Sequence, residues 1–214
     1  MFLKWSILLI GLICVQKISG HGMMLEPPNR SSLWRFPQDF PGAIPNYNDN
    51  ENFCGGMNVQ WNTFGGKCGV CGDRYDKPHP QDNENTGKYG KMGIARTYKS
   101  GEIIDVQIRL TTNHLGYFQY SICVLENPSA PESGEDCFKP VTLEDGSEHY
   151  NVSSVEKTIN NRVKLPDGLT CDRCVFRWHY NAGNNWGKCD DGTSKEGCGP
   201  QETFRSCADI RIEA

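Results

Sequence analysis

The residue with the most distinctive chemistry in this sequence is His21, because it directly follows a segment with the layout of a secretory signal peptide. Residues 1–20 have a basic residue near the start, a short apolar run and small residues at the end. Cleavage after Gly20 would make His21 the first residue of the mature chain, so that its α-amine and its imidazole could chelate one metal ion. A second imidazole would complete a site of three nitrogens with open positions, which suits Cu(II).

The second imidazole has to come from one of four other histidines, and we expect it to be His114. The turn at 112–116 joins two predicted strands, so it would hold a side chain firmly and direct it outward. His79 lies between prolines, His149 follows an acidic stretch, and His179 lies within a predicted strand, where it would occupy a sheet face. Position in the chain favours His114 but leaves the other three open.

The cysteines predict a disulfide framework. Ten of the 11 cysteines remain after cleavage, and an even number in an exported chain indicates five disulfides. Zinc is the alternative, because two pairs of cysteines have the Cys-x-x-Cys spacing of zinc ligands. An oxidising compartment and six further cysteines favour disulfides. Cys123 and Cys137 lie close in sequence and are the pair most easily proposed.

The hydrophobic pattern predicts an all-β fold, an immunoglobulin- or fibronectin-like antiparallel β-sandwich. Helical periodicity is poor, whereas several short alternating segments are separated by turn residues. The predicted strands are Ile103–Leu110, Tyr117–Leu125, Val175–Tyr180 and Cys207–Ile212. The segment 34–93 is rich in Pro, Gly, Asn and Asp and contains three cysteines, so we expect a long, disulfide-stapled loop insertion. Residues 21–214 would form one catalytic domain.

Charge and hydropathy exclude two classes of partner. The formal net charge is −4, and removal of residues 1–20, with two lysines and no acidic residue, makes it −6. A net acidic chain without a basic run argues against nucleic acid and anionic membranes. Beyond the signal peptide, no run approaches the roughly 18 apolar residues that would span a bilayer. We expect a secreted, extracellular, soluble monomer.

Several motifs fall in order along almost the whole mature chain. They are His21-Gly22 with Pro27, Pro28 and Arg30; Phe53-Cys-Gly-Gly56; Thr112-Asn-His-Leu-Gly-Tyr-Phe118; Gly183-Asn-Asn-Trp-Gly187; and the segment from Gly199 to Ile210 that contains Phe-Arg-Ser-Cys-Ala-Asp-Ile. Together they resemble the arthropod-type lytic polysaccharide monooxygenases of auxiliary activity family fifteen, which depend on copper.

The resemblance implies a histidine brace that holds one copper ion per chain. His21 would supply its α-amine and ring Nδ1, and His114 would supply a ring nitrogen. Phe204 would shield one axial face of the metal, and Glu202 would lie near the metal and orient the oxygen co-substrate. Without the resemblance, Phe204 reads equally well as a core aromatic and Glu202 as a surface carboxylate. Thr112 departs from the alanine of many relatives, so its hydroxyl could alter access to the axial position.

The activity implied by the resemblance is oxidative cleavage of crystalline chitin or cellulose, with O2 or H2O2 and an external electron donor. Such a reaction does not need the two flanking carboxylates of a glycosidase. It needs a metal exposed on a flat surface, where aromatic rings could stack on sugar rings. Trp34, Tyr47 and Trp186 are candidates for substrate binding, although each could instead anchor its loop or pack in the core. Attack at C1 and at C4 are both compatible with the sequence.

Three other functions stay open at this point. A non-catalytic polysaccharide-binding protein would use the same aromatic residues, but it gives no reason for a histidine at the processed terminus. A copper carrier would use the same brace without oxygen chemistry. A hydrolase is less favoured, because the sequence contains no GxSxG nucleophile signature.

Two N-glycosylation sequons, Asn29-Arg-Ser31 and Asn151-Val-Ser153, would place their segments at the surface if they are used.

Overall fold

The computed structural model describes residues 21–214, so the signal peptide predicted at 1–20 lies outside the described residues. Short strands dominate this part of the chain. They are β1 (His21–Glu26), β2 (Arg96–Lys99), β3 (Ile103–Thr112), β4 (Tyr117–Val124), β5 (Lys139–Val141), β6 (Tyr150–Asn151), β7 (Thr158–Lys164), β8 (Cys171–Asn181), β9 (Trp186–Lys188), β10 (Ser194–Glu196) and β11 (Thr203–Glu213). The helical segments are two short 3₁₀ helices, Arg30–Arg35 and Glu135–Cys137, and one π-helical turn, Val59–Thr63.

Two sheets form the sandwich. The first has three antiparallel strands in the order β1-β3-β7, and the second has the order β2-β11-β8-β4-β5, with β6 also paired to β4. All of these pairs are antiparallel except β2 with β11. Strands β9 and β10 form a separate hairpin. The all-β sandwich predicted from the sequence is therefore confirmed, and each of the four predicted strands is present.

The core lies between the two sheets because alternate residues of the strands face inward. In β3 the buried residues recur at every second position from Ile104 to Leu110, and in β8 Phe176, Trp178 and Tyr180 enter the core at the same spacing. Trp178 is fully buried and packs edge-on against Phe118 of β4. Burying a large apolar side chain contributes about 1.5–3 kcal/mol, so this layer supplies most of the driving force for folding.

The outer face of the larger sheet is covered by irregular segments that disulfides attach to it. Val70, Phe138 and Val175 form a second buried cluster with neighbouring cysteines on this face. All ten cysteines of residues 21–214 are paired, as Cys54–Cys68, Cys71–Cys207, Cys123–Cys137, Cys171–Cys174 and Cys189–Cys198. The predicted five disulfides and the proposed pairing of Cys123 with Cys137 are confirmed, and no thiolate in this part of the chain is left for zinc.

A buried ion network joins the segment after β1 to the last strand. Arg30 is 3% exposed, and its guanidinium donates to Asp209 at 2.7 and 2.8 Å and to Glu132 at 2.6 Å. Burial lowers the pKa of Arg30, but the two carboxylates outweigh that effect and raise the pKa above its ordinary value. The network anchors the N-terminal segment to β11. Within residues 21–214 no helix is long and apolar enough to cross a lipid bilayer.

Candidate metal centre

The fold brings His21 and His114 to the same end of the smaller sheet. Strand β1 begins at His21, which is the register partner of Thr112, and β3 ends at Thr112. His114 follows Thr112 by two residues, a span of roughly 7 Å of extended chain at most. The antiparallel pairing of the first strand with β3 is therefore what places the two histidines near each other, although they are 93 positions apart in the sequence.

The turn that carries His114 is fixed by hydrogen bonds to its backbone. The His114 N–H donates to the Tyr180 hydroxyl at 3.0 Å, and this hydroxyl donates to the Leu115 carbonyl at 2.7 Å. On the other side, the Gly183 N–H donates to the His114 carbonyl at 2.8 Å. Burial raises the pKa of Tyr180 to about 12, and the nearby charge of Glu202 adds to the shift. The hydroxyl is therefore protonated at neutral pH and able to donate.

Gly116 allows this turn to approach β8 closely. Its φ of +80° lies in the left-handed region, and a Cβ at this position would lie 2.0 Å from the carbonyl oxygen of Asn181. Side chains other than hydrogen are excluded by both criteria. The glycine therefore sets the separation between the His114 turn and the segment at 183–185.

A loop from the long insertion holds His21 in place. The Gly22 N–H donates to the Asn50 carbonyl at 3.0 Å, and the Asn50 side chain donates to Thr111 Oγ1 at 3.0 Å. In the same loop, Glu51 Oε1 lies 3.2 Å from His21 Nε2. The ring of His21 thus has a carboxylate partner on Nε2.

The ring of His114 has a partner on one nitrogen and none on the other. Nδ1 contacts the side-chain amide of Asn184. Nε2 is buried and has no hydrogen-bond partner among the described residues. A buried polar atom without a partner is costly, so it indicates a ligand that completes the site. A ring nitrogen with a lone pair is a good ligand for Cu(II), so the residues present fit a copper ion.

The other three histidines have different surroundings. His179 lies on the outer face of β8 and accepts from Arg205 Nε at 3.2 Å, and burial, assisted by Arg205 and Arg177, lowers its pKa well below the ordinary value. His79 lies 2.8 Å from Glu84, and the ring of His149 packs on Tyr117 at 5.2 Å. Across residues 21–214 no cluster of three or more histidine, cysteine or acidic side chains could hold a metal ion. A histidine brace is not such a cluster, because it uses only two side chains and one backbone amine.

Phe204 is the register partner of Tyr180 on the neighbouring strand β11, and Glu202 precedes β11 and lies beside Ala182. The ring of Phe204 is fully buried and stacks on Tyr180 at 5.7 Å and on Phe53 at 6.3 Å. Glu202 is 8% exposed, and its carbonyl accepts from the Ala182 N–H at 2.9 Å. Glu202 is therefore a buried carboxylate and not the solvated surface group that its sequence context suggests.

The three aromatic candidates for substrate binding divide into two kinds. Tyr47 is 79% exposed and lies in the loop that contains Glu51, which contacts His21; Trp186 is 72% exposed and begins β9, two residues after Asn184, which contacts His114. Trp34 is half-buried and packs edge-on against Tyr47 at 5.3 Å, with Arg35 stacked over its ring at 4.6 Å. Trp34 therefore supports Tyr47 and presents less surface of its own.

Three residues in contact with the two histidines were not predicted from the sequence. Tyr180 lies in a predicted strand, Asn184 lies in the Gly183–Gly187 motif but has no predicted role, and Glu51 lies in the irregular insertion. For Tyr180, the sequence offered one indication: a hydroxyl-bearing aromatic residue in a predicted strand. The other two contacts depend on how loops fold back, and no local pattern indicates them.

A family model described as "Lytic polysaccharide mono-oxygenase, cellulose-degrading" matches residues 21–210. The structure is similar to that of the AA15 lytic polysaccharide monooxygenase from Thermobia domestica in the Cu(I) state, with 43% identity and a TM-score of 0.85, over 90% of this chain and 98% of that chain. LPMO10B from Micromonospora aurantiaca is less similar, with 15% identity and a TM-score of 0.47, over 89% and 99% of the two chains. A comparison with curated proteins found no match.

The family model matches nearly all of the described residues. The Thermobia enzyme aligns with 90% of this chain at 43% identity, which is more than a shared fold alone would give. The resemblance drawn from the motifs is confirmed. The chain belongs to the lytic polysaccharide monooxygenases, enzymes that cleave polysaccharide chains by oxidation.

Proposed function

We propose that His21 and His114 form the copper site of this enzyme, with the α-amine and Nδ1 of His21 and Nε2 of His114 as ligands. Family membership makes the chain a copper-dependent oxidoreductase that acts on polysaccharide. The observation that carries the site is the buried Nε2 of His114, which has no partner among residues 21–214. Three nitrogens from two residues match the ligand preference of Cu(II).

The two histidines would hold the metal at the edge of the sandwich, where a solid surface can reach it. Copper, when bound, supplies the one-electron chemistry by which an external reductant and O2 or H2O2 oxidise a C–H bond next to the glycosidic oxygen. The chain's own residues hold the site rigid: Tyr180 fixes the His114 turn, and Phe204 stacks on Tyr180. Glu202 is the carboxylate that we propose to orient the oxygen co-substrate.

Crystalline chitin or cellulose is the proposed partner, bound on the face that carries Tyr47 and Trp186. Both rings are largely exposed and lie close in sequence to residues that contact the two histidines, so they could stack on sugar units to either side of the cleavage point. The opposite reading, that these rings anchor their loops, is not supported, because an anchor is buried. We propose that the enzyme works as a monomer, since a flat solid substrate requires no second subunit.

The proposal includes export from the cell, which would expose His21 as the mature N-terminus. Five disulfides suit an oxidising compartment. Of the two sequons, only the one at Asn151 lies at the surface. Asn29 is 1% exposed, and its amide donates to the Met24 carbonyl at 2.7 Å, so we expect no glycan there in the folded protein. The intact mass of secreted protein, before and after enzymatic deglycosylation, should show at most one N-glycan.

The decisive experiment is mass spectrometry of the products from chitin and from cellulose. The secreted protein would be loaded with one equivalent of copper and supplied with ascorbate. We expect oxidised oligosaccharides from at least one substrate, with the position of oxidation read from the fragments. His114→Ala should release none. Unoxidised ends from both proteins would indicate a hydrolase, and tight copper binding without any oxidised product would indicate a copper carrier.

A further inference from the structure

We infer that Glu51 and Asn184 are positioning residues that fix opposite tautomers on the two histidines of the proposed brace. Each occupies the ring nitrogen that copper would not use. Glu51 would hold the proton of His21 on Nε2, and Asn184 would hold the proton of His114 on Nδ1. This inference rests on the proposed function, because it concerns the same two rings.

On His21 the acceptor is unambiguous. A carboxylate can only accept, so the 3.2 Å contact between Glu51 Oε1 and His21 Nε2 requires a proton on Nε2. In a neutral imidazole, a proton on Nε2 leaves the lone pair on Nδ1. Nδ1 is joined to the backbone nitrogen of the same residue through Cγ, Cβ and Cα, so one metal ion can be chelated by Nδ1 and the terminal amine together.

On His114 the buried, unpartnered Nε2 distinguishes the two tautomers. With Asn184 Nδ2 against His114 Nδ1, two atoms have no partner among the described residues: Asn184 Oδ1 and His114 Nε2. In that arrangement Nδ1 accepts, so the ring proton is on Nε2, a buried donor without an acceptor. Each such orphan carries a desolvation penalty.

Turning the Asn184 amide end for end removes that conflict. The two ends of an amide have nearly the same shape, so the turn changes no packing. Oδ1 then accepts from Nδ1–H of His114. Nε2 is left with a lone pair that no donor among the described residues contacts. A metal ion satisfies that lone pair. The turned amide leaves Nδ2 in the place of the unpartnered Oδ1, so the gain is at the ring: with the carbonyl toward Nδ1, Nε2 offers a lone pair to a metal.

The two partners differ in charge, which gives them different effects. Glu51 carries a formal negative charge and is partly exposed, with 38% of its side chain accessible, whereas Asn184 is neutral and half-buried. A carboxylate on the far nitrogen makes a ligating imidazole more basic, and such outer partners typically change metal affinity 10- to 100-fold. Glu51 would therefore tune the metal as well as orient the ring, and Asn184 would chiefly select the tautomer.

The test uses variants that keep or remove the acceptor. For Asn184, aspartate retains an acceptor toward Nδ1 and cannot donate, while leucine removes both functions at similar size. For Glu51, glutamine retains an acceptor without the charge, and alanine removes it. Glu196→Gln, an exposed carboxylate on β10, is the matched control. Each variant is prepared as the secreted chain starting at His21, and its melting temperature establishes that it is folded.

Two readouts report the effect without measuring turnover. Long-range ¹H–¹⁵N correlation spectra of the metal-free protein at pH 8 identify the protonated nitrogen of each ring. Competition with a chelator gives the Cu(II) dissociation constant. We expect Nδ1–H on His114 and Nε2–H on His21. We expect Asn184→Leu and Glu51→Ala to weaken copper binding about 10- to 100-fold, while Asn184→Asp and Glu51→Gln should retain most of the wild-type affinity.

The outcomes separate this inference from the proposed function. If Asn184→Asp loses as much affinity as Asn184→Leu, or the spectra place the His114 proton on Nε2, Asn184 acts as a donor and the inference is overturned. If Glu51→Ala binds copper like the control, Glu51 has no positioning role. If the wild-type chain itself fails to bind copper, or binds equally well as His114→Ala, then the proposed function has failed and not this inference alone.

Discussion

Tyr180 reaches across the core and holds the backbone of His114: its hydroxyl accepts the His114 N–H at 3.0 Å. The ring belongs to the larger sheet and the histidine to the turn after the smaller sheet, so this bond joins the two halves of the sandwich at the proposed metal site. The same hydroxyl donates to the Leu115 carbonyl at 2.7 Å, which leaves neither backbone group without a partner.

We expect Tyr180→Phe to destabilise the protein and weaken copper binding together. The substitution leaves a buried N–H and a carbonyl without their partner, which costs about 1–3 kcal/mol, and it frees the turn that carries His114. Urea unfolding and copper titration measure the two effects. Tyr120→Phe is the matched control, because Tyr120 is equally buried but accepts from Asn161 at 2.8 Å, away from the turn. An equal loss of copper affinity in the control would contradict the assignment.

Two disulfides should differ in what their removal affects. Cys71–Cys207 closes a segment of 136 residues and Cys189–Cys198 closes one of 9. In the chain-entropy model these loops correspond to about 5 and about 3 kcal/mol of stability. Replacing both cysteines by alanine in each pair should therefore lower the free energy of unfolding more for the first. The second pair staples the hairpin that begins with Trp186, so its loss should mainly weaken binding to polysaccharide.

Removal of either exposed ring should reduce adsorption to the solid substrate. Tyr47→Ala and Trp186→Ala each delete a ring that could stack on sugar, and a stacking contact of about 0.5–1.5 kcal/mol corresponds to roughly a 2- to 12-fold loss of affinity. Pull-down isotherms on chitin and cellulose measure this loss. Tyr75→Ala is a suitable control, because that ring is also exposed but packs against Phe64, outside the two loops that contact the histidines. A loss of the same size in the control would contradict a specific role of Tyr47 and Trp186 in binding polysaccharide.

His179 should make the fold less stable in mild acid. Burial, with Arg205 and Arg177 nearby, lowers the pKa of this ring well below 6.5, so the folded protein keeps it neutral while the unfolded chain protonates it near pH 6.5. The unfolded state then binds more protons, so stability is full above about pH 6.5 and falls as the pH drops below it, by at most about 1.4 kcal/mol per pH unit.

The variant His179→Gln keeps an acceptor for Arg205 and does not titrate. Its free energy of unfolding should therefore change less than that of wild type between pH 7 and pH 5, a range above the titration of ordinary carboxylates. Parallel slopes for the two proteins in this range would show that His179 is protonated in the folded state as well.

Much of the architecture was predictable because it follows from local patterns. Alternation in the segment that became β3 placed every second residue in the core, as the two-residue period of a strand requires. An even number of cysteines predicted a fully paired set. The pairing of Cys123 with Cys137 could be proposed because a short loop brings those residues together, whereas Cys71 and Cys207 are too far apart in sequence for any local argument.

The environment of the two histidines was beyond such reasoning. The chemistry of His21 and the place of His114 in a turn were apparent from residue types and their order. Their neighbours were not: Glu51 is 30 positions from His21 and Asn184 is 70 positions from His114. Loop paths and strand register decide these contacts, and both result from the packing of the whole domain. Burial likewise decided that Asn29 is inaccessible, although its sequon is intact.

Residue order alone therefore established the fold class, the disulfide count and the family, since periodicity, composition and motifs are properties of short stretches of chain. Only the folded chain decided which nitrogen of each histidine meets a partner, which aromatic rings face outward and which carboxylate is buried. These depend on contacts between residues tens of positions apart, and the free energy that selects such contacts belongs to the packed structure and to no single segment.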